Sequence, residues 1–346
     1  MATFVENRVA VVQMASYSYG VPDSLWFRTA NKNYFSPEPR LNITAKAKNM
    51  SFNLGYTKMR QYLHLLSNSS LGLTSDLWVP ITDNIAPQSA DQFSGSIIFD
   101  LPKHKWEITV EAFYKNLSKQ IEFEEGTNFF DPSNLNWENA VENEGKGKAY
   151  GFEYLMKYSD LKFNMWLSYT LSWNRRQFEN INNGAWYFHQ YDRRNNLSLT
   201  LDYRLKNNWR LSSNFVYQTG SWITLPTAFQ IGGQFLDYIN IEDRLGEDLS
   251  FPPITNVITQ RNNQKLPDYH RLDVSFIKTK TTKKRQRPAQ WAFGIYNLYG
   301  RKNAYNIILS GRGIISPDIE NSIRNINPYG VAAFSIVPSI SYNLKW

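Results

Sequence analysis

The stretch Leu161–Trp173, LKFNMWLSYTLSW, places Leu161, Phe163, Met165, Leu167, Tyr169, Leu171 and Trp173 on one side of an extended chain. Lys162, Asn164, Ser168, Thr170 and Ser172 fall on the other, and only Trp166 breaks the rule. A period of two is the mark of a β-strand, whose successive side chains point to opposite faces. This run is also long for a strand of a water-soluble sheet.

The pattern recurs along the chain. Trp106, Ile108, Val110, Ala112 and Tyr114 alternate with Glu107, Thr109, Glu111 and Lys115. Trp209, Leu211, Phe215 and Tyr217 alternate with Arg210, Ser212, Asn214 and Gln218, and Leu272, Val274 and Phe276 with Arg271, Asp273 and Ser275. Period-two reading predicts strands over 6–16 (weak), 39–47, 49–59, 91–101, 104–119, 148–159, 161–173, 193–206, 208–219, 269–280, 290–299 and 332–346. The connections alternate in length. Those near 47–49, 101–104, 159–160, 206–208 and 281–288 are short; those over 60–90, 120–147, 174–192, 220–268 and 300–331 are long. Antiparallel neighbours joined in this way carry tight turns at one end and long loops at the other. The expected fold class is therefore all-β: an antiparallel transmembrane β-barrel segment of about 11–12 long strands, with short periplasmic turns and long extracellular loops. A soluble β-sandwich also alternates, but its strands are shorter and its loops more even. The division expected is 1–38, a weak strand and loop of uncertain placement, and 39–346, the barrel portion.

Composition agrees. Of 346 residues, 15% are aromatic (21 Tyr, 21 Phe, 11 Trp) and only 20% charged. No run approaches the 18 or so apolar residues of a membrane-spanning helix. Trp106, Tyr158, Trp173, Trp209, Trp291 and Tyr299 fall near strand ends, where a barrel carries its aromatic girdles. With no cysteine, disulfides and thiolate metal sites are excluded. The net charge of +8 is dispersed apart from 278–287, in a predicted turn with no nucleic-acid-binding module around it; no nucleic-acid partner is expected. The first twenty residues lack the basic-then-apolar order of an export signal.

The chain ends FSIVPSISYNLKW, alternating up to Trp346. In a barrel the last strand has to pair, because an unpaired backbone group in hydrocarbon costs several kcal/mol.

Several stretches resemble a known family: SPEPRLNITAKAKNMSFNLGYTKMRQYLHLLSNSSLGLTSDLWVPITDNIAPQSADQFSGSI from residue 36, GKAYGFEYLMKY at 147–158, LPDYHRLDVSF at 266–276, YNLYGRKNAYNI at 296–307 and the closing PSISYNLKW. Together they look like the C-terminal part of a TonB-dependent outer-membrane receptor barrel of the Bacteroidetes type, over about residues 30–346. The resemblance implies an outer-membrane location among lipid, and a closing strand (Ile340, Tyr342, Leu344, Trp346) read as an insertion signal by the barrel assembly machinery. It also implies a plug domain, remaining barrel strands, and a TonB-type energy-coupling complex acting through that plug. Neither plug nor early strands are recognisable here. A surface lipoprotein is a further possible partner.

Binding residues are expected on the long loops, where a rigid wall positions them: Tyr62, His64 and Trp78 in one, Trp222 and Tyr238 in another. Loop packing that closes the mouth is the competing reading. Glu107, Glu111, Glu153, Arg210, Arg271 and Asp273 are expected on the lumen face, either tuning selectivity or bracing the wall in ion pairs, since they would be costly facing lipid. Asp237, Glu242, Asp243, Glu247 and Asp248 match no calcium-loop spacing and read as a solvated acidic face. The four histidines form no metal or nucleophile motif. No metal, no cofactor and no catalytic activity are expected. The implied function is barrel wall and ligand-facing loops for energised uptake of a scarce or bulky nutrient. The other reading is a plug-less passive pore or a structural subunit of an envelope assembly.

Overall fold

The computed structural model of the chain describes residues 36–67, 77–124, 137–231, 254–281, 288–311 and 326–344. In chain order its strands are β1 (Arg40–Ala47), β2 (Met50–Gln61), β3 (Leu63–Leu66), β4 (Leu77–Pro80), β5 (Gln88–Leu101), β6 (Trp106–Phe123) and β7 (Val141–Ser159). There follow β8 (Phe163–Gln177), β9 (Tyr187–Phe188), β10 (Asn195–Arg204), β11 (Trp209–Gln218), β12 (Trp222–Ile223), β13 (Ala228–Ile231) and β14 (Ile254–Val257). The last are β15 (Gln264–Lys265), β16 (Tyr269–Thr281), β17 (Pro288–Tyr296), β18 (Ala304–Gly311), β19 (Ile326–Ala332) and β20 (Val337–Leu344).

One large antiparallel sheet carries the molecule, in the order β1-β2-β5-β6-β7-β8-β10-β11-β16-β17-β20. Apart from short strands inserted in the loops, every neighbour in the sheet is the next strand along the chain. β1 and β20 stand at opposite ends and do not pair with each other among the described residues.

Register explains the sequence pattern. Residues opposite one another across a pair share a face, so the alternating sets of all strands merge. One row runs Tyr56, Phe93, Tyr114, Tyr150, Trp173 across β2, β5, β6, β7 and β8. Another runs Phe163, Tyr203, Leu211, Phe276, Phe293, Ile340 from β8 to β20. Between such rows lie Ile43, Leu54, Ile97, Val110, Phe152, Met156, Leu167 and Leu199, all on the same face. This face is not covered by protein: Leu54 is 63% exposed, Phe152 58% and Ile340 65%. So large a contiguous apolar surface belongs against hydrocarbon or another apolar body, not water. On β6 the aromatic rows are Trp106 and Tyr114, eight residues apart. That is about 26 Å along the strand, or about 20 Å of wall height at the usual barrel tilt, which fits within the ~25 Å apolar band of an outer-membrane wall.

The opposite face is polar and internally bonded. Thr44 donates to Asn53 at 2.8 Å and Asn53 to Ser96 at 3.1 Å, linking β1, β2 and β5. Lys157 pairs with Glu107 at 2.7 Å, and Thr200 donates to Asn214 at 3.1 Å. Arg271 bonds Asp273, Tyr269 and Tyr296 at 3.0, 2.8 and 2.6 Å.

The short turns have clear causes. In the β10–β11 turn, Asn207 and Asn208 both hold positive φ (56° and 59°). Asparagine tolerates that region, and across the two of them the Trp209 amide donates back to the Lys206 carbonyl at 3.3 Å. Lys48 and Lys105 hold positive φ in two other short turns.

Several expectations shift. The strand expected at 6–16 lies outside the described residues. The single strand expected over 332–346 is broken: β19 ends at Ala332, residues 333–336 form no strand, and the sheet resumes at Val337. The alternation there is real, but Ala332 belongs to a hairpin with β18 rather than to the wall. Three long loops carry short ladders among their described residues. The segment 60–90 holds β3–β4, 220–268 holds β12–β15 and β13–β14, and 300–331 holds β18–β19.

Candidate functional site

The buried part of the molecule lies above the sheet, at its long-loop end, where β6, β7 and β8 run on past the Tyr114–Tyr150–Trp173 row. The β3–β4 hairpin lies over this extension. Leu66, Val79, Ile85, Phe123 and Val141 form a core beneath it, flanked by Ile121 and Trp137. Polar tethers hold the margin: Asn84 donates to Glu138 at 2.7 Å, and Asn143 donates to the Asn84 carbonyl at 3.1 Å.

A second patch, Phe178, Ile181 and Tyr187, sits beside it. Phe178 lies flat against Gly145, where a Cβ would overlap the ring. Next to this patch is a buried charge cluster. Glu122 of β6 meets Arg261 at 3.2 Å, with each side chain 15% exposed. Burial raises the Glu122 carboxyl above its usual range, against the pull of Arg261 and Arg176. Burial lowers the Arg176 guanidinium to about 10, which leaves it charged at neutral pH.

Arg261 reaches this cluster because asparagines staple the loops together. Asn182 accepts from the Arg261 amide at 2.6 Å and donates to its carbonyl at 3.3 Å. Asn262 donates to the Phe188 carbonyl at 2.8 Å. Asn263 holds Leu225 by both backbone groups, at 3.0 and 2.8 Å. Gly220 begins this loop, and a Cβ there would overlap the Leu266 carbonyl oxygen; only glycine lets the two limbs approach so closely. The result is a braced mouth built from four loops, with aromatic side chains around it. Phe188 and Trp222 stack at 4.8 Å and 12°.

The expected binding residues are dispersed around this mouth. Tyr62 is half-buried between β2 and β3, and its carbonyl accepts the Ile81 amide. His64 has no exposed surface, and neither ring nitrogen has a hydrogen-bond partner among the described residues. With the hairpin in place it offers nothing to a ligand. Trp78 is 56% exposed on the hairpin's outer side, and Trp222 is half-buried in the stack with Phe188. Tyr238 lies outside the described residues, as do Asp237, Glu242, Asp243, Glu247 and Asp248. Glu107, Glu111, Glu153, Arg210, Arg271 and Asp273 all fall on the polar face by register. Glu107, Arg271 and Asp273 are engaged in ion pairs, whereas Glu111 and Glu153 stand opposite each other. Ile340 and Tyr342 are exposed on the apolar face with Leu344, and Trp346 lies outside the described residues. No group of three metal-ligating side chains occurs among the described residues.

Sequence reasoning missed Glu122, Arg176, Asn182, Phe188, Arg261 and Asn262. Two Arg-Arg pairs, at 175–176 and 193–194, and the polar run TQRNNQ at 259–264 were the available signals.

The profile of the family described as TonB dependent receptor-like, beta-barrel, matches residues 15–298. No curated protein matches the chain. Among solved structures, it is similar to the ferric-catecholate import receptor Fiu from K12 E. coli (12% identity, TM-score 0.50, covering 90% of this chain and 35% of that one). It is also similar to the pyoverdine outer membrane receptor FpvA from Pseudomonas aeruginosa PAO1 (13%, 0.51, 80% and 33%). A third is the ferric yersiniabactin uptake receptor FyuA from Yersinia pestis (9%, 0.50, 91% and 38%). The likeness is one of fold, and the chain spans about a third of the length of each.

Proposed function

The chain belongs to the TonB-dependent receptor-like β-barrel family, and we propose that it supplies barrel wall and ligand-facing loops to an outer-membrane receptor for energised uptake of a scarce or bulky nutrient. The family is one of outer-membrane transport proteins rather than enzymes. The observation that carries the proposal is the pairing of a two-faced wall with a braced mouth. A passive wall needs only the apolar and polar faces. Here four loops are also stapled to one another by side chains far apart in sequence, as binding residues need in order to be held rigidly.

In this reading the apolar face meets lipid and the polar face lines the solute path. Glu107, Lys157, Arg271 and Asp273 brace that lining; Glu111, Glu153 and Arg210 remain available to it. Trp78 and Trp222 supply apolar contact to the ligand, with Tyr62 at the base of the hairpin. His64 serves the hairpin's packing. Further strands pair with β1 and β20. A plug and a TonB-type coupling complex act on the completed barrel, and the barrel assembly machinery reads the closing strand. A surface lipoprotein lid and a Bacteroidetes-type origin belong to the same proposal.

The test is made in native outer membranes on the complete receptor. Uptake that stops when the proton gradient is collapsed, and affinity that falls with Trp78→Ala and Trp222→Ala, are the expected results. Unchanged affinity in both variants removes the binding role of these loops. A permanently ohmic pore in planar bilayers points to the passive-pore reading instead.

A further inference from the structure

We propose that the outward face of β7, β8 and β9, just above the outer aromatic row, is a docking site for the phosphorylated headgroup of an outer-leaflet lipid. On β7 the apolar face runs Phe152, Tyr150 and then turns basic, to Lys148 and Lys146. On β8 it runs Leu171, Trp173 and then Arg175, which stands opposite Lys148. Arg194 comes to the same place from the loop before β10. Three of these four cations, Lys148, Arg175 and Arg194, are laid on aromatic rings. Lys148 Nζ lies 4.8 Å from the Trp186 ring centroid. Arg175 Cζ lies 4.9 Å from that of Phe188, and Arg194 Cζ lies 4.7 Å from that of Trp173. Tyr150 stacks on Trp173 at 5.3 Å, joining the group to the girdle below.

Charge balance decides the ligand class. Among the described residues Lys146, Lys148 and Arg175 make no ion pair, and Lys146 and Lys148 are exposed. Arg175 Nε is buried without a hydrogen-bond partner among the described residues. Arg194 has Asp192 at 3.6 Å, and Glu144 close by is taken by Lys119. Three uncompensated cations and one half-compensated one favour an anion with several acceptor oxygens.

Position decides its source. The short turns mark the periplasmic side, so this end is the outer one. The cations continue the face that meets hydrocarbon, not the face that lines the solute path, so a transported solute passes on the other side of the wall. β7 and β8 lie in the middle of the sheet, where strands closing the wall at β1 or β20 do not reach. A lipid whose chains lie on Phe152 and Leu171 would carry its phosphate to Lys148 and Arg175. Aromatic rings at the interface with cations just beyond them match a headgroup zone.

The experiment uses the complete receptor, purified in mild detergent after incorporation into phosphatidylcholine nanodiscs doped with diphosphoryl lipid A. Retained lipid is counted by native mass spectrometry. The triple variant Lys146→Gln, Lys148→Gln, Arg175→Gln is expected to retain phosphorylated lipid about a hundredfold less tightly, from three charges worth about fivefold each. Neutral phosphatidylcholine is expected to be retained equally by both proteins. If the triple variant fails to fold, Lys148→Gln and Arg175→Gln taken singly are each expected to weaken retention about fivefold. Equal retention of the phosphorylated lipid by the parent and the folded variants overturns the proposal. So does an equal loss of phosphatidylcholine, which would mark a general loss of lipid contact.

Discussion

His64 is the most strongly constrained single residue of the mouth. Its ring lies on the inner side of β3 with Leu66, opposite Val79, the two residues that this hairpin gives to the core. Burial alone lowers its pKa from 6.5 to about 4. The folded hairpin therefore holds a neutral ring that the opened hairpin would protonate. Between pH 6.5 and 4 the open form binds more protons, so the hairpin's stability is complete above 6.5 and is lost as pH falls toward 4. Full titration costs about 3 kcal/mol. Acidification over this window is expected to speed hydrogen exchange at the amides of Val79 and Ile81. His64→Leu, which fills the same space without an orphaned nitrogen, should abolish the pH dependence and leave the hairpin closed. A hairpin equally protected at pH 4 and 7 in the parent would contradict this. Gly145 is constrained differently: Gly145→Val drives a side chain into Phe178 and should cost about 1–3 kcal/mol, as overpacking does, seen as a lower urea midpoint. Neither residue advertises its role in the sequence. Period-two reading puts His64 in a loop and says nothing of which ring will lie on Gly145.

The strands were the most legible elements, because alternation is a local signal and a one-residue slip would turn every side chain to the wrong face. The long wall strands fall within a few residues of expectation at most ends, and the chief exceptions lie at the outer rim. There β6 and β7 run further than alternation shows, to Phe123 and from Val141, through a bulged register and a glycine-spaced run. The loop ladders were illegible for another reason. Their stability comes from bonds between residues 38 and 79 positions apart, such as Leu225–Asn263 and Asn182–Arg261, which no local pattern carries. Asn182→Ala removes two bonds to the Arg261 backbone, each worth about 1 kcal/mol. The segment around 258–265 should then exchange faster than in the parent, with the wall strands unchanged. The short turns make an opposite demand. Asn207→Val forces a β-branched residue into positive φ and should destabilise the β10–β11 hairpin by about 1–2 kcal/mol, whereas Asn208→Gly should be neutral or stabilising. Equilibrium unfolding in detergent distinguishes the two.

At the scale of the whole molecule, the sheet has two faces of opposite chemistry and two edges without partners among the described residues. Edges left open at membrane depth would expose backbone groups at several kcal/mol each. The further strands proposed at β1 and β20 would remove that cost, and the chain spans about a third of the receptors it resembles in fold. The faces can be tested directly, because neighbouring residues on one strand answer to different solvents. Leu167 stands on the apolar face opposite Met156 and Leu199, and Ser168 on the polar face opposite Leu155 and Ser198. Both sit near the middle of β8. Leu167→Arg places a cation in the hydrocarbon and should cost about 2–4 kcal/mol of folding into a bilayer. Ser168→Arg, one position away, places the same cation in the aqueous lining and should cost little. The fraction of complete receptor that reaches the heat-modifiable, folded form in lipid vesicles measures both. Equal costs would mean that the two faces meet the same medium, and the wall reading of this sheet would fail with them. A large cost at Leu167 alone would show that the alternation in LKFNMWLSYTLSW sorts lipid from water.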